Sequence, residues 1–146
     1  MITALDEHLI SFFTSTSYAA KNIAAIIGKR CHQGKVPKNQ ANIFPRFFFS
    51  RSSVERDSNL DGSNKGAYIA ESFDLEVISN QTSDIRTLTY YLWQEVDGIW
   101  GSISDTKVVK GIVLDTQDDA YTPKGVGDDS GLDIASFVLK VIHAST

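Results

Sequence analysis

Residues 107–143 read KVVKGIVLD (107–115), TQDDAYTPKGVGDDSG (116–131) and LDIASFVLKVIH (132–143). The outer pieces are rich in Val, Ile and Leu and the middle piece in Gly, Asp, Ser and Pro. That is the composition of two strands joined by a turn-rich loop. Paired with each other they form a long hairpin with an acidic projection at one end. In the last strand Phe137, Leu139 and Val141 alternate with Ser136, Val138, Lys140 and Ile142. One face is therefore core. The other is mixed rather than polar, and such a half-apolar face is one that a neighbour covers, with Val138 and Ile142 as candidate contacts.

Working outward, TSDIRTLTYYLWQEVDG (82–98) places Ile85, Leu88, Leu92 and Val96 on one helical stripe, with Thr82 or Ser83 as cap, Asp84 at the positive end and Gly98 as stop. Tyr91 and Trp93 broaden the buried side, and Trp100 is expected to cover the end of the core. Before the helix, AYIAESFDLEVIS (67–79) alternates: Ile69, Phe73, Leu75 and Val77 inward, Ala70, Ser72, Asp74 and Glu76 outward, and Glu71 inward near an end that reaches solvent. Residues 52–66 hold almost nothing that could be buried and read as a loop. IFPRFFFSR (43–51) reads as a strand opened by Pro45, with Phe47 and Phe49 on one face and Phe48, Arg46 and Ser50 on the other. Phe48 is thus a candidate contact residue.

The polar, basic stretch 31–42 reads as a connector. Two helices precede it. One carries Leu5, Leu9, Phe12 and Phe13 behind Thr3 and Asp6, a variant capping box; the other, capped by Ser17, carries Ala20, Ile23, Ala24 and Ile27 and stops at Gly28. The order helix, helix, strand, strand, helix, strand, strand predicts an α+β fold: an antiparallel sheet of about four strands with helices packed mainly on one face.

The chain has 146 residues, a length that suits one domain, 1–146, and that buries roughly 70% of the surface its unfolded form exposes. Cys31 is the lone cysteine, so no internal disulfide forms and a reducing compartment is expected. No apolar run approaches the roughly 20 residues that cross a bilayer. Asp6 and Glu7 stand where a secretory signal carries positive charge, and the expectation is a soluble intracellular protein. The net charge of −4 hides an asymmetry. Residues 21–65 hold nine Lys and Arg against three acids, and residues 66–146 hold five against thirteen. Should the halves occupy different faces, the molecule has a positive and a negative side, suited to head-to-tail or stacked association.

Sites of chemistry are sparse. Asp57, Asn59 and Asp61, followed by Gly62, match the opening of a calcium loop, but Tyr68 stands where a bidentate Glu belongs and strands flank the segment, so a hairpin connection is the better reading. Gly125-Val126-Gly127 lacks the third glycine of a phosphate cradle. His8, His32 and His143 are scattered, offering no metal-ligand spacing, and no serine sits in a nucleophile elbow. The aspartates 115, 118, 119, 128, 129 and 133 read as a solvated loop rather than a catalytic pair. No enzyme activity, cofactor or metal is expected.

Pro45 with Phe47–Phe49, the alternating strand around Phe73, Leu75 and Val77, the helix Asp84–Val96, the strand Val108–Leu114, the loop with Asp118, Asp119 and Tyr121, and the strand Ile134–Ile142 together resemble the tail-terminator proteins of long-tailed bacteriophages, also described as minor tail or tail-completion proteins. The resemblance is to a pattern of elements from about Leu5 onward. It implies an α+β subunit of a ring, typically hexameric, located in the virion at the head-proximal end of the tail and assembled in the host cytoplasm. Such a ring ends polymerisation of the tail tube protein, offers the joining surface to a head-completion protein and lets DNA pass without specific binding. It involves no membrane and carries no catalytic residue. In that setting Asp118, Asp119, Asp128 and Asp129 are candidates for the lumen or a stacking face, since negative charge repels DNA phosphates. Related expectations are another neck or head-completion protein, or a monomeric protein-binding module.

Overall fold

Alternating apolar and polar residues build four long strands, and what each strand buries decides which side the helices take. A computed structural model describes residues 5–34, 43–56, 68–122 and 132–144. The helices are α1 (Leu5–Thr14), α2 (Lys21–Ile27) and α3 (Thr82–Tyr91), the last running into a π-helical turn, Leu92–Val96. The strands are β1 (Cys31–Gln33), β2 (Arg46–Arg56), β3 (Tyr68–Ser79), β4 (Gly101–Ser102), β5 (Val108–Val109), β6 (Gly111–Thr122) and β7 (Leu132–Ala144). The main sheet runs β1-β2-β3-β7-β6; every pairing in it is antiparallel except β1 on β2, and β4 and β5 form a separate two-stranded ribbon. The fold is α+β.

The fifth strand of the main sheet corrects the expected four. Cys31–Gln33 reads as polar connector, yet it pairs with Phe47–Phe49 because the end of α2 delivers it there: Gly28, at φ +60, closes the helix on Ala24, and the Arg30 carbonyl then accepts the Phe47 N–H at 2.9 Å. Two loops are also shorter than expected. β2 continues through residues 52–56; residues 52–55 are exposed, and beyond the bulge at Ser52 the strand stays in register with β3 from Ser53 to Arg56. β6 likewise continues through Thr122, so that Asp118 and Asp119 belong to a strand. Backbone pairing with a buried neighbour holds these polar residues extended; no hydrophobic pattern announces it.

The inner face is a layer of aromatics. Phe12, Phe13, Phe47, Phe49 and Phe73 are essentially fully buried, and they meet edge to face, Phe13 on Phe47 at 5.2 Å and Phe49 on Phe73 at 5.8 Å. Each such pair adds about 0.5–1.5 kcal/mol beyond burial. Ile85, Leu88, Leu92 and Val96 close the layer from α3 and its π turn.

The helix caps differ from expectation. Residues Ala20 and Gln81 precede α2 and α3 without capping side chains, and Ser79 supplies the link instead, accepting from the Gln81 N–H and donating to Asp84 Oδ2 at 2.8 Å. Trp100 does not cover the core. It is 80% exposed, because Gly101, at φ +113, turns the chain into the β4–β5 ribbon, whose Ile103 and Val109 are buried in its place. Trp93 is half-exposed, standing edge-on to Phe137 at 6.0 Å while its Nε1–H donates to Gln117 Oε1.

Candidate assembly surface

The helices leave one face of the sheet uncovered, and strand register decides what stands on it. Two neighbouring rows cross four strands: Phe48, Glu76, Ser136 and Asp118, then Ser50, Asp74, Val138 and Asp115. Asp74, Asp115 and Asp118 are exposed, while Phe48, Glu76, Ser136 and Val138 are half-buried. Between β3, β7 and β6 a shallow depression of about 310 Å3 is lined by Asp74, Glu76, Thr116, Asp118, Ser136 and Val138, with Asp115 beside it in the row of Val138. Four carboxylates thus share an open surface with apolar flanks.

Among the candidates from sequence, Phe48, Val138 and Ile142 all lie half-buried on this face. Asp118 joins them, but Asp119 points to the helix side, where Gln117 Nε2 donates to its carboxylate at 3.2 Å. The two aspartates therefore do not form one acidic surface; adjacent residues of a strand alternate sides. Asp128 and Asp129, like Asp57, Asn59 and Asp61, lie outside the described residues.

The charge asymmetry runs from edge to edge rather than face to face. Lys29, Arg30, Arg46, Arg51 and Arg56 cluster at β1 and β2, whereas Asp115, Asp118 and Asp119 lie on β6, the opposite edge. Both edges are half covered. β1 shields β2 as far as Phe49, whose carbonyl accepts the Gly34 N–H at 3.1 Å. The segment Asp97–Ile99 shields the start of β6, where Ile112 bonds to Gly98 and Ile99 and the Leu114 N–H donates to Asp97 Oδ1. Beyond those points no described segment makes a backbone hydrogen bond to the outer edge of Ser50–Arg56 or Thr116–Thr122. Each strand carries a bulge near the change from covered to open, between Arg51 and Ser53 in β2 and between Asp115 and Gln117 in β6, where Thr116 adopts φ +53.

Two polar clusters are absent from the sequence reading. At one end of the helix-side layer Glu71 is fully buried, corrected from near-solvent, and its two oxygens meet Arg51 Nη1 at 3.2 Å and His143 Nε2 at 2.8 Å. The signal was an inward-facing acid on β3 and an inward-facing histidine on the neighbouring strand. Elsewhere the Ser104 oxygen accepts the Thr106 and Lys107 N–H groups and so turns its own proton to His8 Nδ1 at 2.7 Å, tying α1 to the β4–β5 ribbon. Beside it a polar hollow of about 500 Å3 holds Tyr18, whose hydroxyl donates to Asp105 Oδ1 at 2.6 Å; that hydrogen bond, with burial and the Asp105 charge, raises its pKa. Burial pushes the Cys31 thiol up to about 12. No three described His, Cys, Asp or Glu residues converge as metal ligands, and no described helix is long and apolar enough to cross a membrane.

No protein-family model matches the chain, and no curated protein matches it in sequence. Solved structures do match. In one, described as the virion of a native gene transfer agent particle, a chain superposes with a TM-score of 0.57 at 12% identity. The match covers 84% of this chain and 84% of that one, so nearly the whole fold is shared. At that identity the likeness is one of fold.

Proposed function

We propose that this chain is a structural subunit of a phage-like virion, a tail terminator that forms a hexameric ring on the end of the tail tube and offers the joining surface to the head. The observation that carries the reading is the fold-wide correspondence with a chain of a gene transfer agent virion particle. Two features of the surface support it. A charge distribution that opposes one edge to the other favours repeated head-to-tail contact over a symmetric pair. An open face bearing Asp74, Glu76, Asp115 and Asp118 suits a lumen through which DNA slides, because carboxylates within a Debye length of about 8–10 Å repel phosphates. In this role the chain performs no catalysis and needs no cofactor.

The test is electron microscopy of purified protein alone and mixed with tail tubes. Rings, or tubes capped at one end, are expected; a particle that stays monomeric and leaves tube ends bare would sink the proposal. A ring that binds heads but not tubes would instead favour a neck or head-completion subunit, which the same fold likeness accommodates. For the lumen, particles assembled with Asp74→Lys and Asp118→Lys are expected to release DNA slowly. Normal release would remove the open face from the DNA path.

A further inference from the structure

Resting on the ring reading, we infer that neighbouring copies join by strand addition, the open half of β2 in one copy pairing antiparallel with the open half of β6 in the next. Each open half is seven residues long, Ser50–Arg56 and Thr116–Thr122. An uncovered edge is a template for another strand, and proteins normally blunt or cover it. Here, among the described residues, each edge is covered along one half only.

Backbone direction narrows the register. The Phe47 N–H and the Phe49 carbonyl point out of the sheet edge, and carrying that alternation across the bulge makes Arg51, Val54 and Arg56 the outward-bonding positions of β2. Ile112 and Leu114 point outward from β6, and beyond its bulge Gln117, Asp119 and Tyr121 follow. Outward positions must meet outward positions. Setting Val54 opposite Asp119 brings Glu55 against Asp118, which like charges oppose. Sliding by two residues sets Arg56 opposite Asp119, Val54 opposite Tyr121 and Glu55 opposite Ala120. This register pairs a cation with an anion and an aliphatic with an aromatic side chain. β6 on β6 would set Asp118 against Asp118 in one register and Asp119 against Asp119 in the next, so a heterologous partner that repeats around a ring is favoured.

The two open halves sit at opposite ends of the sheet. Glu55 lies in the row of Ile142 and Ala120 in the row of Ile134, eight residues away. Successive copies are therefore staggered by about 26 Å at ~3.3 Å per residue. A ring closes only with its strands inclined to its axis, as shear and tilt are linked in any closed sheet. The open acidic face then lies continuously on one side and the helices on the other.

Glu55 and Ala120 are both exposed, so cysteines there should leave the fold intact, and Cys31 is buried. On mild oxidation in the presence of tail tubes, the variant carrying Glu55→Cys and Ala120→Cys should give a ladder of disulfide-linked copies ending at the ring number, whereas Ser53→Cys with Ala120→Cys should not. Asp119→Lys should weaken association about fivefold per interface, and adding Arg56→Asp should restore it. Capped tubes without a ladder would overturn the strand pairing and leave the ring standing. A ladder from the off-register pair at equal yield would overturn the register. A ladder with no closed ring would keep the strand contact and overturn the ring, and the absence of ladder, ring and capped tube alike would overturn both.

Discussion

The two faces of the sheet come from the same strands but are made to different rules. On the helix side Phe47, Phe49, Phe73, Leu75, Phe137 and Leu139 are buried to 2% exposure or less, and the aromatics interlock edge to face. On the open side Phe48, Val138 and Ile142 are only half-buried and stand among carboxylates. The first face is complete within one chain. The second is left open by the described residues, and that difference separates residues that make the fold from residues that the fold does not need.

The comparison breaks most readily at its aromatics. Phe73→Ala should lower unfolding free energy by about 3–5 kcal/mol in denaturant titration, while Phe48→Ala should cost under about 1 kcal/mol in the isolated chain. Equal losses would mean that the outer face is as closed as the inner. Next comes the polar end of the inner layer. Glu71→Leu strips Arg51 and His143 of their shared acceptor and should cost about 3 kcal/mol, with Glu71→Gln recovering part of it, because a buried group that loses its partner keeps its desolvation penalty.

A pH titration sharpens the same contrast. The folded Cys31 thiol ionises near 12 against an ordinary 9.0 because burial disfavours the thiolate. Below pH 9 both folded and unfolded chains hold the proton and nothing changes. Between 9 and about 12 only the unfolded chain releases it, so stability falls with rising pH, by up to about 1.4 kcal/mol per unit. Comparing melting temperatures of the native chain and Cys31→Ala across that range isolates the effect, which should be missing from the variant. The smallest change is expected at the bulge of β6. Thr116 is β-branched and sits at φ +53, a left-handed conformation costing about 1–2 kcal/mol. Thr116→Asn should therefore raise stability by up to about 1 kcal/mol, since Asn tolerates that region more readily.

Much of the inner face was legible because burial imposes a period. Phe73, Leu75 and Val77 alternate, Ile85, Leu88 and Leu92 recur at helical spacing, and both patterns name their buried side. What lacks such a period was hidden. Residues 52–56 and 116–122 are polar strands held by pairing alone. Cys31–Gln33 is a strand because of where α2 ends. Glu71 could be placed inward but not matched with His143, 72 positions away, without knowing that β3 and β7 are neighbours. On the candidate surface, Phe48, Val138 and Ile142 followed from alternation, whereas the separation of Asp118 from Asp119 required knowing that both are in a strand.

β1 gives the edge of the sheet a further task. Its three residues lie against Phe47–Phe49, the most aromatic part of any strand, and the Arg30 and Gly34 backbones hold it at both ends. Detachment of so short a strand would bare an aromatic edge continuous with the open half of β2, the kind of segment from which aggregation starts. β1 then acts as a gatekeeper, setting how much of β2 another chain can reach.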